Sequence, residues 1–222
     1  MATTTTLGYD DLPALLTRLT GDEKHDRSSF STLDVLWVLY DRILRDGDRF
    51  LLSKGHGPAA LYAVLAAKGI VPVDELDGFG SFDSPLGYHP DRVVAPGVEF
   101  SSGSLGHGLG VAVGSALSGR RVFCLVGDGE LDEGSNWEAV QYAGRVGLAS
   151  LTAIVVDNDS AALGWAVAGN ATGAAGGIER RFMLEGWLAQ RVDGRDHDAL
   201  EAALSPAPDA TRPRCVVAEV PR

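Results

Sequence analysis

Two short stretches of this chain place oxygen ligands where a cation could sit. Asp128 follows the apolar run 121–126, and Asn158 follows the apolar run 151–156. They are 30 residues apart, about one strand–helix–strand crossover. That spacing predicts neighbouring parallel strands whose ends present both side chains at one edge, where open parallel sheets bind ligands. A carboxylate, an amide oxygen and nearby carbonyls suit a hard cation such as Mg²⁺, which fills its octahedron with phosphate oxygens and water. Gly127 and Gly129 allow close backbone approach to a phosphate. The helix expected after them offers unpaired N–H groups and a positive dipole end. A Gly-Asp-Gly tripeptide alone is a common turn. Its place at a strand end, one crossover from a second oxygen ligand, favours a cation-bridged diphosphate site.

Four histidines sit in loops of the same character. His56 lies between Gly55 and Gly57, before a helix that Pro58 opens. His89 precedes Pro90 in a polar loop, His107 lies between Gly106 and Gly108, and His25 lies in the polar stretch 24–31. By itself, His107 reads equally well as a satisfied helix-start histidine. Glu133 by itself reads as a solvated first-turn acid favoured by the helix dipole. Trp37, Tyr40 and Trp187 read as core.

The elements that must position these groups alternate. Helices are expected at 10–20, 31–46 (with Ser31 or Thr32 as cap), 58–67, 104–118, 133–147, 178–185 and 196–204. Strands are expected at 50–52, 121–126, 151–156, 187–192 and 215–220. Continuous apolar β-branched strands alternating with helices indicate an α/β fold, a mainly parallel sheet covered by helices on both faces. Residues 1–21 read as an N-terminal extension and helix, and 22–222 as one domain. The Gly/Ala-rich stretch 161–177 is long for a loop and is expected to be functional or mobile.

Composition narrows the partners. Lys+Arg is 19 against Asp+Glu 30, a net charge of −11, which opposes a nucleic-acid groove. No run reaches the ~18 apolar residues of a membrane span. The start, 1–6, has neither a basic nor an apolar region and is not read as a signal peptide, so a cytoplasmic location is expected. Cys124 and Cys215 lie in apolar strand-like runs and read as buried thiols. Glycine, 28 of 222 residues, is about twice its usual share and clusters at the loops above.

Those loops together resemble a known family. Gly127-Asp128-Gly129, Glu133-Gly134, Glu138-Ala139 and Asp157-Asn158 resemble a thiamine diphosphate motif. The stretches 52–57 with 60–62, 87–91, and 96–108 resemble the histidine and Gly-rich segments of transketolases, most closely the separately encoded N-terminal subunit of split transketolases. Phe182, Gly186-Trp187 and 192–194 resemble the later part of the same domain. The resemblance implies a thiamine diphosphate-binding fold and a role for each matched residue. Asp128, Asn158 and the Ser160 carbonyl would hold Mg²⁺. Gly129 and His56 would contact the diphosphate, and Gly103 and Leu105 would flank the aminopyrimidine, with a further cofactor role for His107. His89 would bond the donor's hydroxyls. Glu133 would lie at a subunit interface, near the partner carboxylate that activates the cofactor.

The expected activity is transfer of a two-carbon ketol unit from a ketose (phosphate) donor to an acceptor. The pyrimidine-binding domain and its glutamate are expected on a partner, the C-terminal transketolase-like subunit, in an α2β2 assembly. The Gly and Pro that normally set the loop of His25 are replaced, which puts its substrate role in question. The chain also stops at Arg222, before a basic segment and a further histidine usual in the family. Both departures keep open an E1-like alternative that passes a glycolyl-type unit to a lipoyl or carrier-protein thiol. A non-catalytic scaffolding subunit is the remaining alternative.

Overall fold

The computed structural model describes residues 7–22, 26–159, 176–206 and 210–220. Five strands, β1 (Arg49–Leu52), β2 (Val122–Gly127), β3 (Leu151–Asp157), β4 (Leu188–Asp193) and β5 (Arg214–Glu219), form one sheet in the order β1-β2-β3-β5-β4. Every pairing is parallel. The helices are α1 (Leu12–Leu16), α2 (Asp26–Phe30), α3 (Leu33–Val38), α4 (Pro58–Ala67), α5 (Gly108–Ala116), α6 (Gly134–Arg145), α7 (Gly177–Leu184) and α8 (His197–Leu204).

Alternation along the strands divides the core in two. Phe50, Leu52, Phe123, Leu125, Ile154, Val156 and Val216 pack against α1, α3, α4 and α8. Leu51, Cys124, Val126, Ala153, Val155 and Val217 face the opposite way, towards α5, α6 and α7. Strands buried on both faces explain the unbroken apolar runs. Cys124 and Cys215 are buried free thiols, and burial pushes both well above the ordinary thiol range. Among the described residues no helix is long and apolar enough to cross a membrane.

Three expected helices are shorter or broken. Helix 10–20 is a 3₁₀ turn (Tyr9–Asp11) followed by the short α1. Helix 31–46 is the short α3 and a π-helical turn (Leu39–Ile43), with the separate α2 just before it. Thr32 stands at the N-cap of α3 but makes no side-chain cap bond. Its hydroxyl and that of Ser31 instead donate back to the Ser28 carbonyl, at 2.6 and 3.0 Å, and this competing local bonding interrupts the helix. Helix 104–118 begins only at Gly108, because Gly103 (φ +124) and Gly106 (φ +84) hold left-handed backbone. Most of the stretch 161–177 lies outside the described residues.

Candidate active site

The strand ends build the site. β2 and β3 are hydrogen-bonded neighbours with Gly127 level with Val156, so Asp128 and Asn158 leave adjacent strands at the same edge. The Asp128 amide donates to the Val156 carbonyl (3.1 Å), continuing the ladder past the strand end. Asp128 is buried and Asn158 is half-buried. The Asn158 amide donates to Ser31 Oγ at 3.0 Å. That bond uses the donor end of the group, and a carboxamide coordinates a hard cation through its oxygen.

Ser31 belongs to a second layer organised by Lys54. The Lys54 ammonium, almost fully buried, donates to the Ser28 carbonyl (3.0 Å), Ser31 Oγ (3.0 Å) and Thr32 Oγ1 (3.3 Å). Burial pushes its pKa down to about 8, against the pull of Asp128 and Glu130. The α2–α3 junction, the end of β1 and the end of β3 therefore meet through one buried cation and one serine.

Close packing of glycines assembles the loops. A Cβ on Gly55 would lie 2.5 Å from the Gly103 amide nitrogen, and one on Gly103 would lie 3.0 Å from Cδ2 of His89. Gly103 is thus sandwiched between the loop that carries His56 and the His89 ring. A Cβ on Gly106 would lie 2.6 Å from the Glu133 Cβ, so this loop also packs on the start of α6, where Glu133 is the exposed N-cap residue. His89, Gly103 and His107 are exposed, and His56 and Leu105 are partly so. His107 stands at the N-cap position of α5 without a side-chain cap bond, and its Nδ1 lies 3.2 Å from the Ser104 carbonyl.

Of the residues singled out from the sequence, Asp128, Gly129 and Asn158 lie together on the β2–β3 edge. His56, His89, Gly103 and Leu105 share the adjoining loops, and Glu133 and His107 lie at the helix starts beside them. His25 and Ser160 lie outside the described residues.

Pattern reading missed Glu130. It is almost fully buried, and one carboxylate oxygen accepts bonds from the Ser53 hydroxyl and the Gly106 amide (2.9 Å), while the other faces the Gly127 amide at 3.4 Å. Burial pushes this carboxyl up, against those three bonds and the Lys54 charge. A first-turn acid after Gly-Asp-Gly gives no local sign of such burial, since its partners come from three segments.

The arrangement fits a diphosphate and its cation. Ser28 Oγ and Ser102 Oγ are buried without a hydrogen-bond partner among the described residues. Both lie against the His56 loop, 3.3 Å from where a Gly57 Cβ and 2.8 Å from where a Gly55 Cβ would be. Buried hydroxyls left this way call for a polar ligand. Among the described residues no three His, Cys, Asp or Glu cluster as a metal cage. One carboxylate and one amide oxygen are the set of a cation completed by substrate phosphates, as for Mg²⁺.

Comparison with known proteins agrees with this geometry. Residues 39–220 match the family described as transketolase, thiamine diphosphate binding domain. The chain is 51% identical to a Rhodococcoides fascians protein named ferredoxin fas2, over 98% of this chain and 74% of that protein. It is 34% identical to the 6-deoxy-6-sulfo-D-fructose transketolase subunit SqwG of Clostridium sp., over 82% of this chain and 71% of that subunit. It is 41% identical to one subunit of the apulose-4-phosphate transketolase of Actinobacillus succinogenes, over 59% of this chain and 52% of that subunit. The transketolase structure from Leishmania mexicana superposes with a TM-score of 0.77 at 25% identity, covering 97% of this chain but 37% of that one. With β2 and β3 presenting Asp128 and Asn158 within this shared parallel fold, the chain belongs to the transketolase family, as its thiamine diphosphate-binding domain.

Proposed function

We propose that this chain is the thiamine diphosphate- and Mg²⁺-binding subunit of a split transketolase that moves a two-carbon ketol unit from a ketose phosphate to an acceptor. The observation that carries the reading is the joint placement of Asp128 and Asn158 on neighbouring strand ends, beside a glycine-lined cradle that holds Gly103 between Gly55 and His89. In this reading residues 22–222 are the cofactor domain, 1–21 are an extension, and the assembly is cytoplasmic.

Asp128 and Asn158 would hold Mg²⁺, with the carbonyl of Ser160, outside the described residues, as the third protein ligand that the family resemblance implies, and Gly129 and His56 would contact the diphosphate. Gly103 and Leu105 flank the aminopyrimidine, and His107 lies at the edge of the same loop. When bound, the cofactor supplies the nucleophilic carbon and the electron sink for cleaving and remaking a carbon–carbon bond beside a ketone. The protein supplies position and proton management. His89, exposed beside Gly103, bonds the hydroxyls of the donor's two-carbon unit, and an imidazole ring can both accept and donate a proton there. Asp128 is held by the backbone, and Asn158 is oriented by Ser31, which is tied to Lys54. Little reorganisation is then needed when the cation arrives.

Glu133 stands exposed at the start of α6, where a partner could meet it. The partner is a C-terminal subunit with the pyrimidine-binding domain, in an α2β2 assembly. Relatives named as transketolase subunits support this division of labour. The test is reconstitution. The chain with its partner, thiamine diphosphate and Mg²⁺ should transfer a two-carbon unit between a ketose phosphate and an aldose phosphate, and neither protein should do so alone. Full-rate turnover by the isolated chain would contradict the split assignment. Transfer only to a lipoylated acceptor would contradict the transketolase assignment.

A further inference from the structure

The Glu130 carboxylate lies at the junction of three segments that no local motif connects. Ser53 follows β1 and leads into the His56 loop, Gly106 lies in the loop that carries Gly103 and Leu105, and Gly127 precedes Asp128. All three donate to Glu130. Ser53 Oγ also accepts the Gly108 amide at 3.1 Å, so the same bridge fixes the first turn of α5. The peptide that follows Gly106 is held by Ser135, whose hydroxyl donates to the Gly106 carbonyl at 2.8 Å. Glu130's own carbonyl accepts from Asn136 at 2.7 Å, tying its backbone to α6. The two peptides that flank Gly106 are thus both held by the 130–135 segment.

We propose that Glu130 is a positioning residue that sets the distance between the diphosphate end and the aminopyrimidine end of the cofactor site. The inference rests on the cofactor reading above. The diphosphate end is built on Asp128, one residue from Gly127, and the aminopyrimidine end on Gly103 and Leu105, the latter one residue from Gly106. One carboxylate bonded to Gly127 and to Gly106 spans the two ends. Its grip requires an acceptor at both oxygens, because Gly106 and Gly127 offer only backbone N–H donors. A glutamine keeps the shape but turns an NH₂ donor on one of them. Groups that orient a metal or cofactor shell from behind typically change affinity by about 10- to 100-fold when replaced.

The test uses the full chain co-purified with its partner subunit and two probes in saturating Mg²⁺. Thiamine diphosphate engages both ends, and inorganic diphosphate engages only one. In Glu130→Gln the dissociation constant for thiamine diphosphate should rise about 10-fold or more, that for inorganic diphosphate should stay within about threefold, and the urea midpoint should stay near wild type. Ser53→Ala removes one of the three donors without touching the carboxylate. It should show the same selective loss at smaller size, which keeps the test available if Glu130→Gln folds poorly. Equal weakening of both probes, or of neither, overturns the spacing role. Asp128→Ala should weaken both probes; if it weakens neither, the cofactor assignment falls and the spacing role with it.

Discussion

Placing a methyl group at Gly55 should open the site without unfolding the domain. The alanine Cβ would sit 2.5 Å from the Gly103 nitrogen and 2.8 Å from Ser102 Oγ, where ordinary contact begins at 3.4 Å. The loops must therefore part by about 1 Å, and overpacking of that kind costs ~1–3 kcal/mol. In the cofactor-free chain, segment 102–105 can move away, since Gly103 and Ser104 are exposed, and much of the strain is relieved. Cofactor binding requires the closed arrangement, so the cost reappears as lost affinity. At ~1.4 kcal/mol per decade, it corresponds to about a 5- to 140-fold weaker dissociation constant. The assay is thiamine diphosphate titration followed by tryptophan fluorescence or calorimetry in saturating Mg²⁺, with a parallel urea melt. Wild-type affinity in Gly55→Ala would refute the reasoning that the Gly55–Gly103 contact shapes the site.

Gly110 is the matched control, an exposed helical glycine with nothing within 4 Å of where an added methyl group would lie. Gly110→Ala should raise stability by ~0.5–1 kcal/mol and leave cofactor affinity unchanged, as read by the same melt and titration. The Tyr9 hydroxyl donates to Asp34 at 2.5 Å, and burial first, then this bond, pushes its pKa up to about 12 from 10.0. An unfolded tyrosine releases its proton near pH 10 while the folded one keeps it, so this stabilisation is complete below pH 10 and is lost between pH 10 and 12. Tyr9→Phe should flatten the fall of Tm across that window, and an unchanged slope would contradict it. Arg191 donates to Glu179 (2.5 Å) and to Asp157 (2.7 Å), the residue before Asn158. Arg191→Met leaves both carboxylates without their cation and should cost ~1.5–3 kcal/mol in a urea melt.

Readings that depend on chain length and residue type were legible in the sequence. The spacing between Asp128 and Asn158 matches one crossover, and β2 and β3 are neighbours for that reason. Unbroken apolar strands signalled a sheet covered on both faces. What remained hidden depends on contacts between distant segments. Glu130 meets Gly106 across 24 positions and Ser53 across 77, so no window of sequence contains the junction. Helical spacing over 31–46 was equally blind to Thr32 and Ser31 bonding back to Ser28 while Lys54 arrives from the end of β1. Lys54 looked like a motif residue on a loop, and its burial became visible only once three elements closed around it.

The cation-bridged diphosphate site on the β2–β3 edge is tested most directly by titrating thiamine diphosphate into the full chain with its partner, with and without Mg²⁺, alongside Asp128→Ala. Saturable binding that requires Mg²⁺ in the wild type and is lost in Asp128→Ala is the expected result. Binding that ignores Mg²⁺, or that survives Asp128→Ala unchanged, would contradict it.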